Sequence, residues 1–212
     1  MSARDNILAD IRAKLNQSES AQIDGYLARH PRGPAPVIAG DIVAQFKQRS
    51  LKLSSNVMEA ASISDVPKVL SAYLAEQGLP TQGVCWPELA SLAWRSAGLD
   101  IEARPALDRD LLGITGAYCA IAETGTLMML SGPLTHARTS LLPETHVAIL
   151  NLNRIVATME DAWDLLRNEW RIPPRAVNFI SGPSRTADIE QTLTLGAHGP
   201  YRVAVILIED TQ

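Results

Sequence analysis

Short β-branched apolar runs alternate along this chain with amphipathic stretches of helical period, and that alternation limits the fold more than any single motif does. The last run, Val203-Ala-Val-Ile-Leu-Ile208, contains no polar residue. A strand with one face in water alternates polar and apolar side chains, so an unbroken run suits a strand buried on both faces. Helices must then cover the sheet on either side, which predicts a three-layer α/β/α fold. Further strands are predicted near 56–63, 83–85, 99–103, 112–115, 118–122, 126–130, 146–151 and 176–180. The close, hairpin-like spacing between 112 and 130 predicts a mixed sheet rather than a purely parallel one.

The clearest helix spans 158–170. Thr158-Met-Glu-Asp161 has capping-box spacing, and Met159, Ala162, Trp163, Leu166 and Trp170 form its apolar face. Residues 65–77 turn Val66, Val69, Leu70, Tyr73 and Leu74 inward, and Gly78 stops the helix. Others are predicted over 41–51, over 87–97 before Gly98, and briefly around 189–195. At the start, Ile7, Leu8, Ile11 and Leu15 share one stripe of a helix over 2–16, with Ser2-Ala-Arg-Asp5 as a capping box. Arg29-His-Pro-Arg-Gly-Pro-Ala-Pro36 then favours an extended linker. Residues 1–40 thus read as an N-terminal helical arm and Pro-rich linker, and 41–212 as the α/β domain. The arm's stripe has two docking choices, its own domain or a second copy in a homo-oligomer.

A hydrophobic content of 46% over 212 residues supplies one sizeable core and argues against general disorder. The net charge of −4 and the scattered Lys and Arg offer no footprint for nucleic acid. No apolar run approaches the ~20 residues of a membrane span. Met1-Ser-Ala-Arg-Asp5 lacks the basic and apolar regions of a signal peptide, so a cytoplasmic protein without membrane insertion is expected. Cys85 and Cys119 stand apart and read as reduced, buried thiols. They cannot supply the four thiolates of an iron–sulfur cluster. Neither G-x-G-x-x-G nor the P-loop pattern occurs, and no histidine pair has zinc-ligand spacing, so no cofactor or metal is expected on this chain.

Two polar stretches interrupt the apolar part of the chain. Glu123-Thr124-Gly125-Thr126 sits within 118–130, where an unpaired buried carboxylate would be costly. Gly125 permits a tight turn. Glu123 could cap that turn, bind a ligand, serve as a general acid or base, or attack as a covalent nucleophile. The second stretch, Ser181-Gly-Pro-Ser-Arg-Thr-Ala-Asp-Ile-Glu190, follows a predicted strand and precedes a predicted helix. Gly182, Ser184, Arg185 and Thr186 there could cradle an anion, with Asp188 and Glu190 opposing a second negative charge. Thr186 or Asp188 could equally be a helix N-cap. Arg138 could pair with Glu123, clamp a carboxylate or stand in solvent. His198, flanked by Gly199 in Gly196-Ala-His-Gly-Pro200, is a candidate acid–base group or a loop histidine bonded to the backbone. No G-x-S-x-G elbow is present.

Ala122-Glu-Thr-Gly-Thr126, Arg138 with Ser140-Leu-Leu-Pro143, Gly182-Pro-Ser184, Thr186-Ala-Asp-Ile-Glu190 and Gly196-Ala-His-Gly-Pro200 together resemble the LUD domain of the lactate utilization protein C family, in the same order. The resemblance runs from about residue 55 to the C-terminus. It implies a NagB/RpiA/CoA-transferase-like fold and a role in oxidising L-lactate to pyruvate beside iron–sulfur partner proteins, which would hold the redox clusters. CoA transferases of that superfold use a glutamate nucleophile, which keeps Glu123 open as one. Three functions therefore stand: a non-redox subunit binding a small carboxylate, a phosphate or a partner; an acyl- or CoA-transferase-like enzyme using Glu123; and a purely structural assembly protein.

Overall fold

The computed structural model describes residues 3–15, 29, 38, 40–187, 193–196 and 198–209, and the chain divides into two units, Met1–Pro36 and Val37–Gln212. The first holds α1 (Ala3–Leu15), on which Ile7, Leu8 and Ile11 are exposed. The capping Ser2 and the proline-rich linker lie outside the described residues, apart from Arg29.

The second unit contains α2 (Ile42–Lys52), β1 (Asn56–Ala60), α3 (Val66–Gln77), β2 (Gln82–Cys85), β3 (Asp100–Ala103), β4 (Leu112–Gly116), β5 (Cys119–Ile121) and β6 (Thr126–Leu130). It continues with α4 (Arg138–Leu141), β7 (Thr145–Asn151), β8 (Ile155–Val156), α5 (Met159–Glu169), β9 (Val177–Ile180), β10 (Arg185–Ala187), β11 (Leu193–Leu195) and β12 (Arg202–Ile208).

Six strands form a wholly parallel sheet in the order β1-β12-β7-β4-β2-β3. The apolar run of β12 lies between β1 and β7, and Val203 to Leu207 are all buried, as its lack of polar residues requires. One face, carrying Leu112, Ile114, Val147, Ile149, Ala204 and Ile206, packs beneath Val66, Leu70, Tyr73 and Leu74 of α3. The other face, with Ala148, Leu150, Val203, Val205 and Leu207, meets Phe46 of α2 and a second sheet.

That second sheet has the order β8-β5-β6-β9. Ala120, Ala122, Leu127 and Met129 face the parallel sheet, while Cys119, Ile121, Met128 and Leu130 face Ala162 and Leu166 of α5. The α/β class holds, with a central sheet covered on both faces. The antiparallel pairs expected from the 112–130 spacing, β5 with β6 and β6 with β9, belong to this second sheet. The chain changes sheets at 117–118, where Ala117 N–H donates to Ile149 and Tyr118 N–H to Met128. Period two shows that a strand is buried on both faces; it does not show which sheet claims the strand.

Three local expectations are corrected. Residues 87–97 form two 3₁₀ turns, Pro87–Leu89 and Arg95–Ala97, rather than one helix. The buried Trp94 indole donates to the Leu89 carbonyl at 2.9 Å, taking an acceptor that a continuous helix would use for its own ladder. The predicted helix near 189–195 is in part β11, paired antiparallel with β10, and residues 188–192 lie outside the described set. The alternation Thr192-Leu-Thr-Leu195 has the two-residue period of a strand. Trp170 caps the C-terminus of α5 and is 42% exposed rather than part of its buried face.

The helix ends follow their capping residues. Gly78 takes φ 62° after α3, and Asp41 accepts from Val43 and Ala44 at the start of α2. The capping box of α5 forms in full: Thr158 Oγ1 accepts from Asp161 N–H, and Asp161 accepts from Thr158 N–H. Thr158→Ala should therefore cost about 1 kcal/mol. Urea unfolding would register this as a lower midpoint with an unchanged m value.

Candidate functional site

The sequence-predicted polar segments gather at the C-terminal end of α2. In the β5–β6 turn, Gly125 N–H donates to Ile121 at 2.9 Å and Glu123 N–H to Ala157 at 3.0 Å. Gly125 has φ 71°, and a Cβ there would lie 2.7 Å from Ser50 N. Gly182 has φ 80°, and its Cβ would lie 2.5 Å from the Leu53 oxygen. Both motif glycines thus let backbone rest directly on the last turn of α2. Thr124 Oγ1 donates to Thr126 Oγ1 at 2.8 Å, and Thr126 Oγ1 is 2.7 Å from Ser181 Oγ, so a chain of hydroxyls ties the turn to the 181–185 loop.

Arg185 donates through Nη2 to the Leu53 carbonyl at 3.3 Å and to Ser54 Oγ at 2.6 Å. A guanidinium beyond the end of α2 complements the negative end of the helix dipole. Ser184 N–H donates to the Pro200 carbonyl, and the Ser184 carbonyl accepts from Gly196 N–H, both at 2.9 Å. A Cβ on Gly199 would touch the Ser184 side chain at 3.3 Å, with the Leu141 carbonyl 4.0 Å away. The 184, 196–200 and α4 segments therefore adjoin.

Glu123 is half-buried, while Arg138 and His198 are exposed; among the described residues none of these three side chains has a hydrogen-bond or ion-pair partner. The considered Glu123–Arg138 pair is not formed. Thr186 lies in β10 opposite Thr194, and Asp188 and Glu190 fall outside the described residues.

This placement revises the anion-site expectation for residues 181–186. The loop leads into a strand, so no helix N-terminus points at it. It also adjoins Ser54 and Pro200, just ahead of β1 and β12. That is the amino edge of the parallel sheet, whereas ligands of open α/β sheets bind beyond the carboxyl ends of strands.

At the carboxyl edge lies a cleft of about 400 Å³, where β4 and β7 hand over to β5 and β8. Trp86, Glu88, Gly116, Tyr118, Arg154 and Trp170 line it. Arg154 grips Glu169 with two bonds of 2.6 and 2.9 Å, donates through Nε to the Tyr118 carbonyl, and lies 4.6 Å above the Tyr118 ring. The Tyr118 hydroxyl donates to Glu169 at 2.8 Å. Arg154 holds the Glu169 carboxyl below its usual range, and burial, with Glu169 adding to it, pushes Tyr118 up to about 12. Glu88 is exposed as a residue, but its carboxyl end leans into the cleft over Gly116, and desolvation there raises its pKa.

Sequence reading missed this site because its residues come from separate strand ends and none interrupts an apolar run. The available signal was Trp86-Pro-Glu88 directly after a strand, obscured when the segment is read as helix. Among the described residues no three His, Cys, Asp or Glu side chains are grouped to hold a metal ion. Cys85 and Cys119 lie in separate cores, and burial pushes their pKa values up to about 11 and about 12.

A family model described as LUD domain matches residues 87–208. Lactate utilization protein C 1 of Bacillus mycoides is 37% identical over 134 residues, covering 59% of this chain and 56% of that protein. Lactate utilization protein C of Bacillus subtilis is 35% identical over 129 residues, covering 59% and 54%. The chain thus matches about half the length of these relatives. A crystal structure of a DUF162 family protein from Deinococcus radiodurans shares the fold, with TM-score 0.58 and 22% identity over 82% of this chain and 99% of that one.

Proposed function

The chain belongs to the LUD domain family, and we propose that it serves L-lactate utilization as a component that binds rather than one that carries the redox cofactor. The observation behind this reading is the convergence of the family motifs on the end of α2. Backbone contacts and mutual hydroxyl bonds absorb Thr124, Gly125, Thr126, Gly182 and Ser184 into the architecture. Glu123, Arg138, Arg185 and His198 remain as charged or titratable groups around that framework, and such a surface suits recognition. In this reading they hold a partner protein, with Arg138 available to clamp a small carboxylate.

Oxidising L-lactate to pyruvate releases two electrons that some group must accept. Two protonated thiols in separate cores are poor acceptors, so the electrons are assigned to iron–sulfur clusters of partner proteins. No described helix is long and apolar enough to cross a membrane, and the proposal places the complex in the cytoplasm. The exposed stripe of α1 would dock on a second copy or a partner.

A second reading rests on Glu123 itself. A half-buried carboxylate without a described partner is available as an acyl acceptor, and hydroxylamine trapping with a thioester would mark the wild type but not Glu123→Gln.

Deleting the gene should abolish growth on L-lactate while leaving growth on pyruvate unchanged. A complementing copy carrying both Glu123→Lys and Arg185→Glu should fold, yet fail to restore growth or to co-purify with iron–sulfur proteins. Undiminished growth of the deletion strain on L-lactate would refute the assignment.

A further inference from the structure

We infer that the cleft beyond the carboxyl ends of β2, β4 and β7 binds a small, flat, cationic ligand of the amidine or protonated amino-heterocycle class. Its position is the first ground. The chain leaves the parallel sheet for the second sheet at 117–118 and again at 152–154, and the cleft opens at that divergence. Crevices at such switch points beyond strand carboxyl ends are where open α/β sheets take ligands. At about 400 Å³, the space matches a small organic molecule.

Charge decides the class of ligand. Arg154 is committed, with both terminal nitrogens on Glu169 and Nε on the Tyr118 carbonyl. Glu88 has no hydrogen-bond or ion-pair partner among the described residues, and its carboxyl end lies over Gly116. A Cβ at Gly116 would meet Glu88 Oε1 at 2.8 Å, so the glycine keeps this floor open for the carboxylate. Glu88, Glu169 and Arg154 together leave one net negative charge facing the cleft. An anion such as lactate would be repelled by Glu88, whereas a cation would find an uncommitted acceptor.

The aromatic lining decides the shape. Trp170 presents an indole that is 42% exposed at the rim, and Trp86 and Tyr118 form adjoining wall. Indole and phenol faces attract a flat cation through the ring quadrupole, most strongly where water is partly excluded. The desolvation that raises the Glu88 pKa fits the same picture, because a bound cation would restore the lost stabilisation of its charge.

The test pairs two probes of one shape and opposite charge, benzamidine and benzoate, titrated calorimetrically into the full chain at pH 7.5. Benzamidine should bind at least tenfold more tightly than benzoate. Glu88→Gln should reduce its affinity tenfold or more, and Trp170→Ala severalfold, with circular dichroism confirming that both variants fold. Affinity should also fall as pH drops through the raised Glu88 range. Binding of neither probe, equal or tighter binding of benzoate, or undiminished benzamidine binding by Glu88→Gln would each overturn the inference.

Discussion

Gly125→Ala should destabilise the protein by about 3 kcal/mol, whereas Glu123→Gln two positions away should change stability by less than about 0.5 kcal/mol. At Gly125 two costs combine. An L side chain at φ 71° carries a penalty of roughly 1–2 kcal/mol. The added Cβ would also lie 2.7 Å from Ser50 N and 2.8 Å from the Arg49 carbonyl carbon, backbone atoms that cannot rotate away. Overpacking of that kind costs roughly 1–3 kcal/mol. Glu123 has no described partner to lose, and glutamine keeps its shape. Thermal unfolding should therefore show a midpoint lowered by about 6–12 °C for Gly125→Ala and almost unmoved for Glu123→Gln. Equal losses at both positions would mean that the carboxylate, rather than the glycine, holds the turn to α2.

That contrast also marks how far the chain could be read before it was seen folded. Glu123-Thr124-Gly125-Thr126 was legible as a turn because it breaks an apolar run. The reason for its glycine was not, since the atoms it touches belong to Arg49 and Ser50, on an element far back in the sequence. β12 and α5 were legible because burial on both faces, and a capping box followed by an apolar stripe, are local patterns. The second sheet was not, because alternation reports burial and leaves the choice of partner strand open. The 87–97 error has a similar origin: helical spacing was present, but the Trp94 indole claimed the Leu89 carbonyl. The carboxyl-edge cleft was least legible, as Trp86, Gly116, Arg154 and Trp170 meet only through sheet topology.

Acid should weaken the fold through His146 well before the paired carboxylates respond. His146 lies in β7 within the parallel sheet, fully buried, with Nε2 2.8 Å from Thr115 Oγ1 and Nδ1 without a partner. Burial disfavours the imidazolium and lowers its pKa to about 3, against about 6.5 in an unfolded chain. Below pH 6.5 the unfolded state therefore takes up a proton that the native state refuses. Stability contributed by this group is fully present above pH 6.5 and is lost as pH falls toward 3, at about 1.4 kcal/mol per pH unit. Between pH 6.5 and 4.5 the loss should reach about 2.5 kcal/mol. Asp110 and Glu169, both held below their ordinary range by arginine partners, lose their contributions only below about pH 4. Glu88, with its raised pKa, works in the opposite sense, but equally in any variant that leaves it in place. His146→Gln isolates the effect, since glutamine can still bond Thr115 but does not titrate. Denaturant unfolding at pH 6.5 and 4.5 should show the wild type losing about 2.5 kcal/mol more than His146→Gln over that interval. Parallel stability profiles for the two proteins would mean that the imidazole is charged in the folded state, and that Thr115 is its partner as an acceptor rather than a donor.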